Sequence, residues 1–339
     1  MIWRRAADDW GPGDPARARP RPRRIVFLVV ALVLLATFAP SSLQRRDPPP
    51  SVTWVDFTPI PLDKGSSSRR LGRLVFLGAW ALTSNDPRFG GISALHVDPG
   101  QALALSDAGW RFRLPLEPGR GRVRALVSMI EQGPGPPDEK EDRDIESLVV
   151  DGGDAWVGYE QANAIWRYDV AGFTARASAV PTAMARWRAN RGAEAMVRLE
   201  DGRFLVFSEG SGGESEVLLF AGDPAMRGTR VERLRYRPPT GYRITDAALL
   251  PDGRLALLNR RVSLLEGFTA RLTVARLPEL AGGALIAGEE AAAFAGSVAR
   301  DNFEALSVSR EQGRTMLWIA SDDNYNPMQR SLLMKFAFP

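Results

Sequence analysis

The stretch Asp301–Arg330, DNFEALSVSREQGRTMLWIASDDNYNPMQR, decides the fold. It begins with an acid and amide cluster, runs through an alternating strand, turns at "EQGR", runs through a second strand and closes on another acid and amide cluster. Four more segments share this grammar: GGISALHVDPGQALALSDAG (90–109), RDIESLVVDGGDAWVGYEQAN (143–163), NRGAEAMVRLEDGRFLVFSEG (190–210) and YRITDAALLPDGRLALLNRR (242–261). Aligning Ser93, Glu146, Glu194, Asp246 and Glu304 spaces the copies about 50 residues apart, a period that belongs to propeller blades. Extra strands follow within most copies: AIWRYDV and ARASAV in the second, SEVLLFAG and VERLRYR in the third, ARLTVARL and GALIAG in the fourth. Gly and Pro interrupt the chain too often for long amphipathic helices. The expected fold is therefore all-β, a propeller of four-stranded antiparallel blades with five repeats visible and six blades possible.

The fifth copy has only one further strand, SLLMKFAF, after it. GRLVFLGAWAL (72–82) precedes the first copy and is expected to complete the fifth blade, since ring closure removes exposed sheet edges. SVTWVDFTPIPL (51–62) is expected to be an additional edge strand.

Upstream of this body, residues 1–24 carry seven arginines and residues 25–40 form the apolar run IVFLVVALVLLATFAP. A Pro-rich linker occupies 41–50, and the propeller domain 51–339. The uninterrupted run from Ile25 to Ala39 is short for a bilayer span of about 17 to 25 residues but suits a signal anchor. With the arginines cytoplasmic, the propeller is expected in the periplasm, tethered to the inner membrane, or secreted if the signal is cleaved.

Composition removes several chemistries. The chain has no cysteine and a single histidine, His96, so thiolate nucleophiles, disulfides and His-rich zinc sites are excluded. His96 lies inside a strand pattern and reads as structural. Lys plus Arg is 44 against 40 acids. Much of that excess lies in the arginine-rich N-terminal segment, so no nucleic-acid partner is expected; a monomer acting on a small anionic or ester substrate is.

In a propeller the innermost strands line a central channel, so repeat-equivalent acids converge. Glu146, Glu194, Asp246 and Glu304 form the expected acidic ring and are the catalytic candidates, able to activate water. Glu160, Glu209, Asp322 and Asp323 follow second strands, as Asp107 does, and are the candidate metal ligands. Arg191 and Arg243, with Asn302 and Asn324, are the candidate binders of an anionic substrate group, because arginine forks grip phosphate. Such a ring has to be compensated by a hard cation, by arginines such as Arg143, Arg191, Arg243 and Arg300, or by protonation.

The segments RFGGISAL, ALSDAG, NRGAEAM, GYRITDAALLPDGRLALLNR and DNFEALSV followed by IASDDNYNPMQRSLLMKF resemble the bacterial phytase-like domain family, also described as esterase-like activity of phytase. The resemblance covers about residues 70 to 338. It implies an exported β-propeller hydrolase of phosphoesters or carboxylic esters, and it suggests Ca²⁺. A non-catalytic ligand-binding or scaffold propeller of the envelope is the alternative.

Overall fold

The computed structural model describes residues 51–339 apart from 64, 66, 118–120, 137–139, 189–190 and 211–212. The anchor expected over 25–40 lies outside these residues, and no helix among the described residues is long and apolar enough to cross a membrane.

Three strands precede the first repeat: β1 (Ser51–Pro59), β2 (Arg70–Leu71) and β3 (Leu74–Thr83). Blade 1 is β4 (Ile92–Asp98), β5 (Gln101–Ser106), β6 (Trp110–Pro115) and β7 (Arg122–Met129). Blade 2 is β8 (Ile145–Asp151), β9 (Asp154–Tyr159), β10 (Ala164–Asp169) and β11 (Ala175–Ala179). Blade 3 contains β12 (Ala193–Arg198), β13 (Phe204–Ser208), β14 (Ser215–Phe220) and β15 (Val231–Arg237). In blade 4, β16 (Arg243–Leu249), β17 (Leu255–Ser263) and β18 (Gly267–Ala275) come first. The short β19 (Leu285–Ala287) leaves for blade 3, and β20 (Glu289–Phe294) completes blade 4. Blade 5 is β21 (Phe303–Glu311), β22 (Arg314–Ser321) and β23 (Ser331–Phe338), completed by β3.

Each blade is built on a four-stranded antiparallel sheet, completed in blade 5 by β3, and the inner strands β4, β8, β12, β16 and β21 each contact both neighbours in a closed cycle. That cycle is the five-bladed propeller, with no sixth blade among the described residues. The blade faces are apolar because alternate residues of every strand point at the next blade. Trp110, Trp156 and Trp318 are buried in this packing, so they fill space between blades. His96 pairs across from Leu103 on β4 and approaches the exposed Asp98, well away from the strand's N-terminal end.

The segment 72–82 does complete blade 5: β23 pairs with β3 from Ser331↔Leu82 to Ala337↔Val75. Two outer strands depart from the sequence reading. β1 is not an edge; it lies between β3 and β7 and joins blades 5 and 1 into one continuous sheet. GALIAG does not serve the fourth copy, since β19 pairs in parallel with β15 of blade 3 and β20 takes its expected place.

Candidate functional site at the channel mouth

The five inner strands share one irregularity close to their N-terminal ends. In each, the register with the second strand shifts by a residue, leaving Ser93, Glu146, Glu194, Thr245 and Glu304 without a ladder partner. A bulge of this kind re-aims one side chain out of the strand's alternation. Three of the five are glutamates. In the fourth copy the sequence alignment selected Asp246, whereas the bulge holds Thr245. Asp246 turns into the blade interface instead, accepting from the Ala247 and Leu306 amides at 2.7 and 2.6 Å, and so ties blade 4 to blade 5. Burial pushes its pKa well up despite those two donors.

A second ring follows the mouthward end of each second strand. The residues paired across from the pre-bulge positions are Ser106, Tyr159, Ser208, Asn259 and Ser321, and the next residues are Asp107, Glu160, Glu209, Arg260 and Asp322. A recurring backbone bond fixes them: the Asp107, Glu160 and Asp322 amides donate to the Gly91, Asp144 and Asn302 carbonyls at 2.9, 2.8 and 3.0 Å. Small residues allow this closeness. A Cβ on Gly192 would overlap the Glu160 backbone, and one on Gly91, which sits at φ 63°, would meet the Asp107 carboxylate and the Tyr325 ring.

Arg260 is the residue the sequence reading missed. It is the only cation in either ring. Its guanidinium pairs with Glu304, donates to Asn302 Oδ1 and reaches Glu209 at 3.9 Å. Burial disfavours its charge, but Glu304, Glu194, Glu209 and Glu146 outweigh that and hold its pKa above the ordinary value.

The other candidates divide. Glu146, Glu194, Glu304, Glu160 and Glu209 come together, and Asp322 lies near Glu304 and Asp107. Asn302 is buried and donates to Glu304 Oε1 at 2.9 Å, orienting that acid. Arg243 pairs with Glu209 at 3.1 Å, so its fork is engaged. The Arg191 side chain has no hydrogen bond or ion pair among the described residues. Arg143 and Arg300 do not compensate the ring: Arg143 holds the Ile130, Glu131 and Gly135 carbonyls, and Arg300 donates to the Glu266 carbonyl. Asp323 accepts from the Gly91 and Tyr325 amides and from Ser331 Oγ, which makes it the anchor of the loop between β22 and β23. Asn324 supports the same loop, its side chain donating to Gln329 Oε1 at 3.0 Å.

Asp144, the residue just before β8, joins the cluster. Ligand oxygens of Asp144, Glu146 and Glu160 lie within 4.8 Å of one another. Beside them, the fully buried Ser93 Oγ has no hydrogen-bond partner among the described residues. Eight carboxylates (Asp107, Asp144, Glu146, Glu160, Glu194, Glu209, Glu304 and Asp322) thus border the mouth against two paired arginines. Burial first, then neighbouring acids, pushes the Glu146, Glu194 and Asp322 carboxyls well up. Glu160 rises to about 6, mainly through burial, with the hydrogen bond to Glu194 opposing and Glu209 adding to the rise.

A carboxyl with a raised folded pKa binds more protons folded than unfolded, so stability is lost as pH climbs from the unfolded value through the folded one. For Glu160 the rise from 4.5 to about 6 corresponds to about 2 kcal/mol. In chelator, urea midpoints should therefore fall between roughly pH 4.5 and pH 6, and Glu160→Gln should flatten part of that fall. A midpoint that climbs over this interval would contradict the arrangement.

A family model described as esterase-like activity of phytase matches residues 87–325, from just before β4 to the loop after β22. The chain belongs to the phytase-like family. That span holds both rings of this phytase-like protein. No curated protein sequence matches it. Solved structures similar to the phytase-like chain include Myxococcus xanthus glutaminyl cyclase, at 9% identity over 80% of this chain and 100% of that one with a TM-score of 0.44. Another is the PQQ-bound aldose sugar dehydrogenase of Streptomyces coelicolor, at 12% identity over 76% and 97% with a TM-score of 0.41.

Proposed function

We propose that the channel mouth is a divalent-cation-dependent hydrolytic site for a phosphoester or carboxylic ester, in a propeller tethered outside the inner membrane by the segment 25–40. The carrying observation is the charge imbalance of the mouth, eight carboxylates facing two arginines that are already paired. An anionic substrate would be repelled by such a site unless bound cations or retained protons offset the charge. The donor set suits a hard cation such as Ca²⁺, because all the candidate ligands are carboxylate oxygens. Asp144, Glu146 and Glu160 would hold it, and when bound it supplies positive charge and Lewis acidity beside the substrate.

The remaining work falls to this chain's own groups. Glu194, buried at the β12 bulge with its pKa raised by burial and by Glu160, is placed to exchange a proton with an attacking water. Glu304 is fixed by Asn302 and Arg260 and stays in place during that transfer. Arg191 is the remaining candidate for a substrate anion.

The test measures turnover of p-nitrophenyl phosphate and p-nitrophenyl acetate by the purified full chain, with Ca²⁺ or with chelator. One of the two substrates should turn over only with the cation, and Glu194→Gln with Glu304→Gln should lower that rate at least about a hundredfold. In the same samples, Ca²⁺ at about a hundred times its Kd should stabilise the fold by about 2.7 kcal/mol. Cation binding without turnover would favour the ligand-binding alternative, and neither effect would end both readings.

A further inference from the structure

The second strands of blades 1, 2, 3 and 5 stop at the mouth, at Ser106, Tyr159, Ser208 and Ser321. β17 passes the equivalent Asn259 and continues to Ser263, pairing with β18 as far as Ser263↔Gly267. Three residues past Arg260 carry the hairpin roughly 10 Å beyond the rings. Its tip is apolar: Leu264 is 72% exposed and Leu265 98%. Val262, on the same projection, is exposed as well.

Four arginines surround this tip. Arg261 flanks it and pairs with Glu266, and Arg300 donates to the Glu266 carbonyl at 3.3 Å. Arg330 in turn donates to the Arg300 carbonyl at 3.0 Å, bringing the loop between β22 and β23, with the exposed Met328, to the same rim. Arg243, Arg261, Arg300 and Arg330 stand against Glu209, Glu266 and Asp301, four cations to three anions, and Arg300 has no ion pair among the described residues.

We propose that this hairpin tip docks on a phospholipid surface, with Leu264 and Leu265 in the interfacial layer and the rim arginines against headgroup phosphates. A narrow convex point bearing two adjacent exposed leucines offers little area for a protein interface, which buries about 800 Å² on each partner. It matches the apolar-tip and basic-flank pattern of interfacial membrane binding. The acidic rings do not oppose it, since they lie recessed by more than the Debye length of about 8 Å at physiological ionic strength. The docked propeller presents its channel mouth to the headgroups. This inference stands on the hairpin alone and does not require the site to be catalytic.

The chain has no cysteine, so single-site labelling is direct. The full chain carrying Leu265→Cys or Gln312→Cys, the latter at the turn on the opposite end of the propeller, is labelled with a polarity-sensitive fluorophore. Each is bound to vesicles of phosphatidylcholine with phosphatidylglycerol, some containing headgroup-level nitroxide lipid. The label at 265 should shift to the blue and be quenched at least about twofold more than the label at 312. A label at Val262→Cys should lose that quenching in a Leu264→Asp, Leu265→Asp background. Equal quenching at 265 and 312, a water-like signal at 265 on vesicle-bound protein, or failure of the chain to sediment with vesicles would overturn the proposal. None of these readouts involves turnover, so the hydrolytic reading can fail without affecting them.

Discussion

Arg260→Met should destabilise the protein by about 3–5 kcal/mol at neutral pH in chelator, because it removes one member of a buried ionic network and leaves the rest uncompensated. Methionine keeps most of the apolar stem, so the loss reports charge more than packing. Glu304 loses its ion pair, and Glu146, Glu194 and Glu209 lose the cation that faces them. Protonation relieves the same repulsion, so the difference between variant and parent should shrink at pH 5. Added Ca²⁺ should recover part of it at pH 7. Urea unfolding at the two pH values measures both effects. An equal loss at each pH would mean that Arg260 acts through packing, and a loss below about 1 kcal/mol would mean that the network is already neutralised by protons.

Phe336→Ala should cost about 3–5 kcal/mol as well, for a different reason. Phe336 is fully buried on β23, between the Phe76 and Phe294 rings at 5.8 Å from each. It sits where β23 pairs with β22 on one side and β3 on the other. Truncation opens a cavity in the blade assembled from the most distant parts of the chain. Val52→Ser, on the half-exposed outer strand β1, should shift stability by no more than about 0.5 kcal/mol. Comparable urea midpoints for the two variants would show that the closing blade contributes little.

The repeat was readable because each copy carries the same local physics: an alternating strand, a tight turn such as "PDGR" or "EDGR", and a second strand. Ring closure by 72–82 was readable too, since one blade was a strand short and one strand had no blade. The position of the acid in the fourth copy was not. "ITDAA" offers Thr245 and Asp246 side by side, and only the register shift between Ile244 and Asp246 decides which one leaves the ladder. Arg260 does not stand out in an acidic pattern, because the fourth copy carries "NRR" where the other copies place an acid after the second strand. Its position one residue after Asn259 matches Asp107, Glu160, Glu209 and Asp322, so aligning the closing residues by place, whatever their charge, would have found it. The extra partner strands were illegible for another reason. β1 and β19 attach by backbone pairing at outer edges, where side-chain pattern imposes little choice of neighbour.

The recurring bulge has an evolutionary corollary. A residue that takes no rung in the ladder can be exchanged without altering how two strands meet. The five bulges therefore behave as interchangeable sockets on a fixed chassis, filled in this chain by serine, threonine and three glutamates. Single substitutions at 93, 146, 194, 245 and 304 can rewrite the polarity of the channel while the blades stay as they are, so new chemistry can be sampled here by point mutation.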